Sequence, residues 1–201
     1  MLKKVKIAVF VSGGGTNLQA LIDAQGNVIK SGEIALVLSD KKDAYALQRA
    51  EKAGIKTVVI DRKECVSQEG FEDAIASVLE ENGIEMIVLA GFMRILGEKF
   101  VKRYPDRIIN VHPSLIPSFC GKGYYGLTVH EKALEYGVKV TGATVHYVNE
   151  IADGGKIIMQ KAVYIQPDDT PETLQKRVMQ EAEWIILPQA TEKVCQEILT
   201  K

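Results

Sequence analysis

"VFVSGGGTNLQALI", residues 9 to 22, runs from an apolar β-branched stretch through three consecutive glycines into a segment of helical period. Val9 and Val11 belong to a strand expected over Lys6–Val11, and Leu18, Leu21, Ile22 and Gln25 recur at helical spacing. A strand that turns directly into a helix is the first half of a βαβ unit, so this stretch sets the fold class. A tight turn needs glycine only where φ is positive. Three in a row exceed that need and bare backbone N–H groups at a helix N-terminus, where the aligned peptide dipoles favour an anion such as phosphate. Neither common nucleotide motif fits: a dinucleotide fingerprint needs a third glycine where Leu18 stands, and the Gly-Lys-Ser/Thr of a Walker loop is absent. Asp40, closing the second expected strand, reads either as a partner for a ribose hydroxyl or as an Asx turn capping the next helix.

Outward from this unit the alternation continues. Further strands are expected at Ile34–Leu38, Thr57–Ile60, Met86–Ala90 and Ile108–Val111, with Phe71, Ile75, Val78 and Leu79 on one helical face between them. Gly54 and Gly83 stand just past helix ends. Residues 138–150 and 155–165 read as two strands joined by a short turn and paired antiparallel. The last segment opens with Asp169 or Thr170 as N-cap and Pro171 in the first turn, and Pro188 is expected to kink or split the helix. The fold expected is α/β: a Rossmann-like open sheet, mainly parallel, with a C-terminal antiparallel extension and helices on both faces.

Composition narrows the function. Twenty-five basic and 26 acidic residues are spread through 201 positions for a formal charge of −1, which argues against a polyanionic partner such as nucleic acid. No run is long enough to span a membrane. Cys65, Cys120 and Cys195 are odd in number and far apart, so neither a disulfide framework nor a zinc site is suggested and a reduced, cytoplasmic setting is expected.

A second chemical feature is "INVHPSLIPSF", residues 109 to 119. Asn110 and His112, two apart in an extended segment, share a face, and Pro113 ends the ladder just beyond them. An amide donor and a proton-transfer group at the carboxyl edge of an α/β sheet suggest acyl chemistry. Each alone is more often structural, a histidine tied to a loop or an asparagine capping a turn. "NEIADGGKI", residues 149 to 157, shifts the balance, because the two glycines after Asp153 let the backbone fold tightly and bring a carboxylate close. Asn110, His112 and Asp153 make an acid–base and oxyanion set. Thr144 and His146 share one strand face and extend it.

Taken with "SGGGTNLQALI", "VLAGFMRIL", "VTGATVHYVNEIADGG" and "EAEWIILP", in this order and spacing, these motifs resemble the phosphoribosylglycinamide formyltransferase family of the folate-dependent formyltransferase superfamily. The resemblance covers nearly the whole chain. It implies one formyltransferase domain over 1–201, with a nucleotide-binding half over about 1–100 and a folate-binding and catalytic half over about 86–201. The implied reaction moves the formyl group of the co-substrate 10-formyltetrahydrofolate to the amine of glycinamide ribonucleotide in purine synthesis, by direct attack and without a metal.

By the same resemblance Asn110 donates to the oxyanion, His112 stabilises it and relays protons, and Asp153 orients the imidazole and takes the amine's proton. The substrate phosphate is expected on Gly13, Gly14, Gly15, Thr16 and Asn17, with Gln180 reaching phosphate and Glu183 ribose. Folate is expected against Met93, Arg94, Ile95 and Leu96 and the backbone of Val148, Asn149, Glu150, Ile151 and Ala152. Partners are thus small molecules, not nucleic acid or membrane, and monomer and homodimer both stay open. Two departures stand out. Gln68 replaces an arginine the family often carries near the folate glutamate tail, and the loop "SFCGKGYYGLTVHEKAL" is longer than the family's usual form. That loop places Cys120 eight residues after His112, which makes a Cys–His nucleophile a formal rival. A nicotinamide-dependent dehydrogenase or a nucleotide-sensing module is the other.

Overall fold

The computed structural model describes residues 3–201. Five apolar runs form parallel strands: β1 (Val5–Val11), β2 (Gly32–Ser39), β3 (Lys56–Val59), β4 (Met86–Leu89) and β5 (Ile108–His112). Two more, β6 (Val140–Tyr147) and β7 (Ile157–Tyr164), add antiparallel to β5 and to each other. The spatial order is β3-β2-β1-β4-β5-β6-β7. The chain therefore builds outward from β1 to β3, then crosses to the other side of β1 to lay down β4. Where that direction reverses, the connections leave opposite faces of the sheet, and a crevice opens at the carboxyl ends of β1 and β4.

Helices cover both faces because the central strands are apolar on both. In β1 only Lys6 is exposed. Ile7, Val9 and Val11 pack with Leu18 and Leu21 of α1 (Thr16–Ala24) and with Leu187 and Val194 of the last helix. Ala8 and Phe10 point the other way, onto Phe71, Ile75 and Leu79 of the helix Gln68–Glu81 and Phe100 of the helix Glu98–Arg103. In chain order these are α3 and α4, preceded by α2 (Tyr45–Lys52) and followed by α5 (Leu127–Tyr136), α6 (Pro171–Val178) and α7 (Trp184–Leu199). Helix ends obey local chemistry. Gly54 and Gly83 follow α2 and α3 with φ of +71° and +63°. Thr170, not Asp169, caps α6, in a reciprocal box with Thr173. Asp169 instead accepts both forks of Arg177, at 2.6 and 2.5 Å.

Three expectations need correction. The strands β6 and β7 are joined not by a short turn but by the segment 148–156, long enough to fold back over the end of β5. Asp40 makes no Asx turn. Ser39 does the turning, its hydroxyl bonded to the Lys41 amide and carbonyl at 3.0 and 2.8 Å, while α2 has Ala44 as its N-cap and no side-chain cap. Pro188 does not split the last helix and lies buried inside α7. Its ring would strike the carbonyl four residues back, on Trp184, and Trp184 has ψ −13°, opened from the helical value of about −42°. Directly before it, Met179–Glu183 widens into a π-turn.

Gly15 shows which glycine of the loop the fold itself requires. It is the N-cap of α1, with φ +71°, and a Cβ there would lie 2.6 Å from the Cβ of Ala46 on α2. A Cβ on Gly14 would meet nothing within 4 Å. Gly15→Ala is therefore expected to cost roughly 2–4 kcal/mol through backbone strain and overpacking. Gly14→Ala should stay within about 0.5 kcal/mol. Urea denaturation of the two variants checks this, and equal stability would mean the left-handed cap is not needed.

Candidate active site

A cavity of about 640 Å³ occupies the crevice. Its walls come from the start of α1, the segments after β4 and β5, the loop 121–126, the segment 148–153 and one face of α6 and the π-turn. Thus the fold brings to one place stretches that are far apart in the chain.

At the centre, β5 presents Asn110 and His112 on one face. Antiparallel pairing sets Asn110 opposite His146 and His112 opposite Thr144. The Asn110 amide lies 3.2 Å from His146 Nε2 and 3.5 Å from Asp153 Oδ1. Asp153 reaches over from the segment 148–156, with Oδ2 3.5 Å from His112 Nδ1 and Oδ1 3.6 Å from His146 Nε2. Its backbone is left-handed, φ 55°, a conformation a non-glycine residue adopts at a cost and that clusters at functional sites. The two glycines that follow make that bend possible. A Cβ on Gly155 would fall 1.6 Å from the Tyr147 carbonyl oxygen, and one on Gly154 would overlap Ile151.

Electrostatics follow from this packing. Burial alone would raise the Asp153 pKa, but it is outweighed by His146, by the charge of His112 and by the Gly121 amide, which donates to Oδ2 at 2.8 Å, so the carboxyl titrates below its usual range. His112 is 4% exposed, and burial pulls its pKa below the ordinary imidazole value even though Asp153 and the Phe119 carbonyl favour the charged form. His112 Nε2 lies 2.9 Å from that carbonyl, which can only accept, so Nε2 carries the proton. Nδ1 is then the free basic nitrogen, facing Asp153. By the same logic His146 donates from Nδ1 to the Tyr147 carbonyl at 2.8 Å and offers Nε2 to Asn110. His146 thus joins the cluster. Thr144 does not: its hydroxyl bonds Ser114 O, the Ile116 amide and Gln160, anchoring the chain just past β5.

At one end of the cavity are Thr16 and Asn17, with Glu183 facing them; Asn17 Nδ2 donates to Glu183 Oε2 at 2.6 Å. Gly13 and Gly14 are exposed beside this end, and Gln180 points to solvent away from the cavity wall. The π-turn separates Gln180 from Glu183, because a widened turn breaks the three-residue spacing that would align them on a regular helix. Gln175 and Met179 line the wall instead. At the other end the segments 91–96 and 148–153 face each other across the opening. Leu96 is part of the core, whereas Met93 and Ile95 are 51% and 70% exposed. Arg94 is bound to the buried Asp40, Nε to Oδ2 at 2.6 Å, which leaves Asp40 unavailable to a ribose. Gln68 is outside the cavity, bridging Arg62 and Glu72 and donating to the Ile95 carbonyl.

Sequence reasoning missed His130, Lys122, Tyr124 and Tyr125, all on the cavity wall. His130 is fully buried with neither ring nitrogen bonded, and burial, reinforced by nearby His112, pushes its pKa down to about 4, so it is a neutral imidazole. Nothing in its local sequence distinguishes it from an ordinary residue of α5. Cys120 Sγ sits 3.3 Å from Pro117 O, and burial, with the nearby Asp153 charge, raises its pKa. The Cys120 thiol bonds the Pro117 carbonyl and makes no hydrogen bond to either nitrogen of His112, so no base activates it. Leu18, where a dinucleotide fold wants glycine, is buried in the core. Among the described residues no group of three or more His, Cys, Asp or Glu side chains is placed to hold a metal, and no helix is long and apolar enough to cross a membrane.

The profile of the Formyl transferase family matches residues 5–191. The chain is 44% identical to phosphoribosylglycinamide formyltransferase of Haemophilus influenzae over 91% of its own length and 84% of that protein. It is 49% identical to the trifunctional purine biosynthetic protein adenosine-3 of Gallus gallus over 95% of its length, but spans only 18% of that longer protein. Among solved structures it is similar to glycinamide ribonucleotide transformylase 1 of Symbiobacterium toebii, with TM-score 0.91 and 39% identity over 98% of this chain and 90% of that one.

Glu183 gives a measurable signature. It is 6% exposed, and burial, only partly offset by Asn17, pushes its pKa up to about 7. A carboxyl raised in the native state favours folding below its unfolded pKa and loses that contribution as pH rises through the native value, here between about 4.5 and 7. Glu183→Gln cannot ionise. It should match the parent near pH 5 and exceed it by about 1–3 kcal/mol at pH 8. Thermal unfolding against pH tests this; a constant difference across the range would place the titration elsewhere.

Proposed function

Because the chain belongs to the formyl transferase family, matched over residues 5–191, we propose that it is a phosphoribosylglycinamide formyltransferase, moving the formyl group of 10-formyltetrahydrofolate to the amine of glycinamide ribonucleotide. The observation that carries the proposal is Asp153 lying 3.5 Å from the polar atoms of both Asn110 and His112, in a cavity whose wall also holds the start of α1 beyond the uncapped glycine loop and the apolar segment 91–96. The whole chain acts as one formyltransferase domain, in a reducing cytoplasm.

In this reading the phosphate rests on the amides of the 13–17 loop, and Glu183 meets the ribose. Gln180, being exposed, would have to turn inward to reach either. The folate lies between 91–96 and 148–153, with its formyl group over β5. Attack by the amine builds negative charge on the formyl oxygen. Asn110 is the donor placed to take it, because its 3.5 Å contact with Asp153 is long enough to be exchanged for a shorter bond to an oxyanion. The N–H of His112 at Nε2 is already held by Phe119. What His112 adds is charge: Nδ1 accepts the proton that the attacking amine releases, Asp153 beside it stabilises the imidazolium, and the oxyanion then collapses as the bond to the folate nitrogen breaks and that nitrogen takes the proton back. His146 keeps the Asn110 amide turned toward the reaction.

Folate release, followed spectroscopically with both substrates, tests the activity directly. Asn110→Ala should lower turnover on the order of 10²–10³-fold at every pH, leaving the pH profile unchanged in shape. His112→Asn should cost roughly 10²–10⁴-fold and remove the acid limb of the profile, since the group that must be neutral at Nδ1 is gone. If both variants fold normally and keep parental rates, the three residues are a structural strand end and the catalytic assignment is wrong.

A further inference from the structure

We propose that Arg49 is a positioning residue for the substrate phosphate: its guanidinium turns the amides of the glycine loop outward and sets an uncompensated positive charge behind them. The inference rests on reading the 13–17 loop as the phosphate site.

Arg49 lies on α2, packed alongside α1, and it is remote from the loop in sequence. α2 takes two successive carbonyls of that loop. The Ala46 amide donates to Gly13 O at 3.0 Å, and Arg49 Nε donates to Gly14 O at 2.8 Å. In a trans peptide the C=O and the following N–H point in opposite directions. Fixing both carbonyls toward α2 therefore aims the amides of Gly14 and Gly15 the other way. Neither amide donates to another described group, and α1 has neither a side-chain cap nor an acid in its first turn. The loop is thus a row of oriented, unfilled donors.

The charge is held as firmly as the geometry. One Arg49 terminal nitrogen donates to Gln19 Oε1 at 3.1 Å, the guanidinium carbon sits 5.0 Å from the centre of the Tyr45 ring, and the Cδ of the stem would lie 3.4 Å from a Cβ on Gly15. Every one of these partners is neutral. Arg94, Arg103 and Arg177 each face a carboxylate, whereas among the described residues no carboxylate lies within ion-pair distance of Arg49, nor of Arg62 and Arg107, which lie away from the loop against Gln68 and the Glu85 carbonyl. Helix dipoles and backbone amides supply only partial charges. Arg49 thus stands on the carbonyl side of the loop and off the cavity wall, so its full charge reinforces the outward-facing amides from behind rather than touching the phosphate.

The test uses Arg49→Met, which keeps the stem, and Arg49→Lys, which keeps the charge but loses the fork that reaches Gly14. For each, kcat, KM for glycinamide ribonucleotide, KM for 10-formyltetrahydrofolate and competitive inhibition by inorganic phosphate are measured with thermal unfolding alongside. Arg49→Met is expected to raise KM for glycinamide ribonucleotide and the phosphate inhibition constant together, roughly 10- to 100-fold, with kcat and the folate KM within about twofold. Arg49→Lys should give a smaller loss, about 3- to 10-fold, in the same two constants. If Arg49→Met unfolds, the lysine variant decides alone. A parental KM and phosphate constant in a folded variant, or a loss spread equally over kcat and folate, overturns the inference. If the parent protein does not use glycinamide ribonucleotide at all, the phosphate reading fails first and takes the role of Arg49 with it.

Discussion

The burial of one carboxylate governs the arrangement of the site. Asp153 sits at the meeting point of β5, β6 and two loops, and each of its oxygens is shared among groups from different parts of the chain. A charge taken out of water is tolerated only where polar groups surround it. The donors are the Asn110 side-chain amide and the Gly121 N–H, and the two imidazoles alongside add favourable charge when protonated. Because the Gly121 amide belongs to the long loop and the imidazoles to adjacent antiparallel strands, satisfying the carboxylate fixes the loop against the sheet edge. The left-handed backbone at Asp153, and the two glycines that allow it, are what place the charge there.

This explains why the sheet changes character where it does. Up to β5 the strands are parallel and apolar on both faces, as crossover helices demand. Beyond β5 a parallel neighbour would need another helix over the crevice and would cover it. The antiparallel β6 brings His146 and Thr144 beside Asn110 and His112 instead, and leaves the carboxyl edge of β1 and β4 open. The geometry of the cluster and the polarity of the strands are thus one decision.

Most of the architecture was legible because it rests on short-range rules. Period-two runs, the glycine loop and the capping residues near Gly54, Gly83 and Thr170 all act within a turn or two of their own position. So was the trio at the centre, since Asn110 and His112 share a strand face by spacing alone. What was not legible depends on distant partners. Asp40 looked like a turn residue or a ribose ligand, and only the fold pairs it with Arg94. The carbonyl of Phe119 decides which nitrogen of His112 is protonated, and a backbone atom carries no signature in sequence. The helix α4 has only six residues and α5 buries only Val129, His130 and Ala133, too few apolar positions to stand out by periodicity. Gln180 and Glu183 were read on a regular helix, and one widened turn parts them.

That widened turn fixes a phase relation. A regular helix advances about 100° per residue, so the extra residue held in Met179–Glu183 offsets everything after it from everything before. Leu174 and Val178 on one side, and Ile186 and Leu187 on the other, are all buried against the same core, which the two helical segments reach only because the turn absorbs the mismatch. Deleting a single residue there would straighten the helix and force a choice. Either the front half keeps its contacts and the apolar stripe of α7 swings off the sheet, or α7 holds and Glu183 leaves the cavity. The C-terminal helical segment is therefore tuned in angle as well as in composition, and its length between Thr170 and Pro188 is as constrained as any side chain it carries.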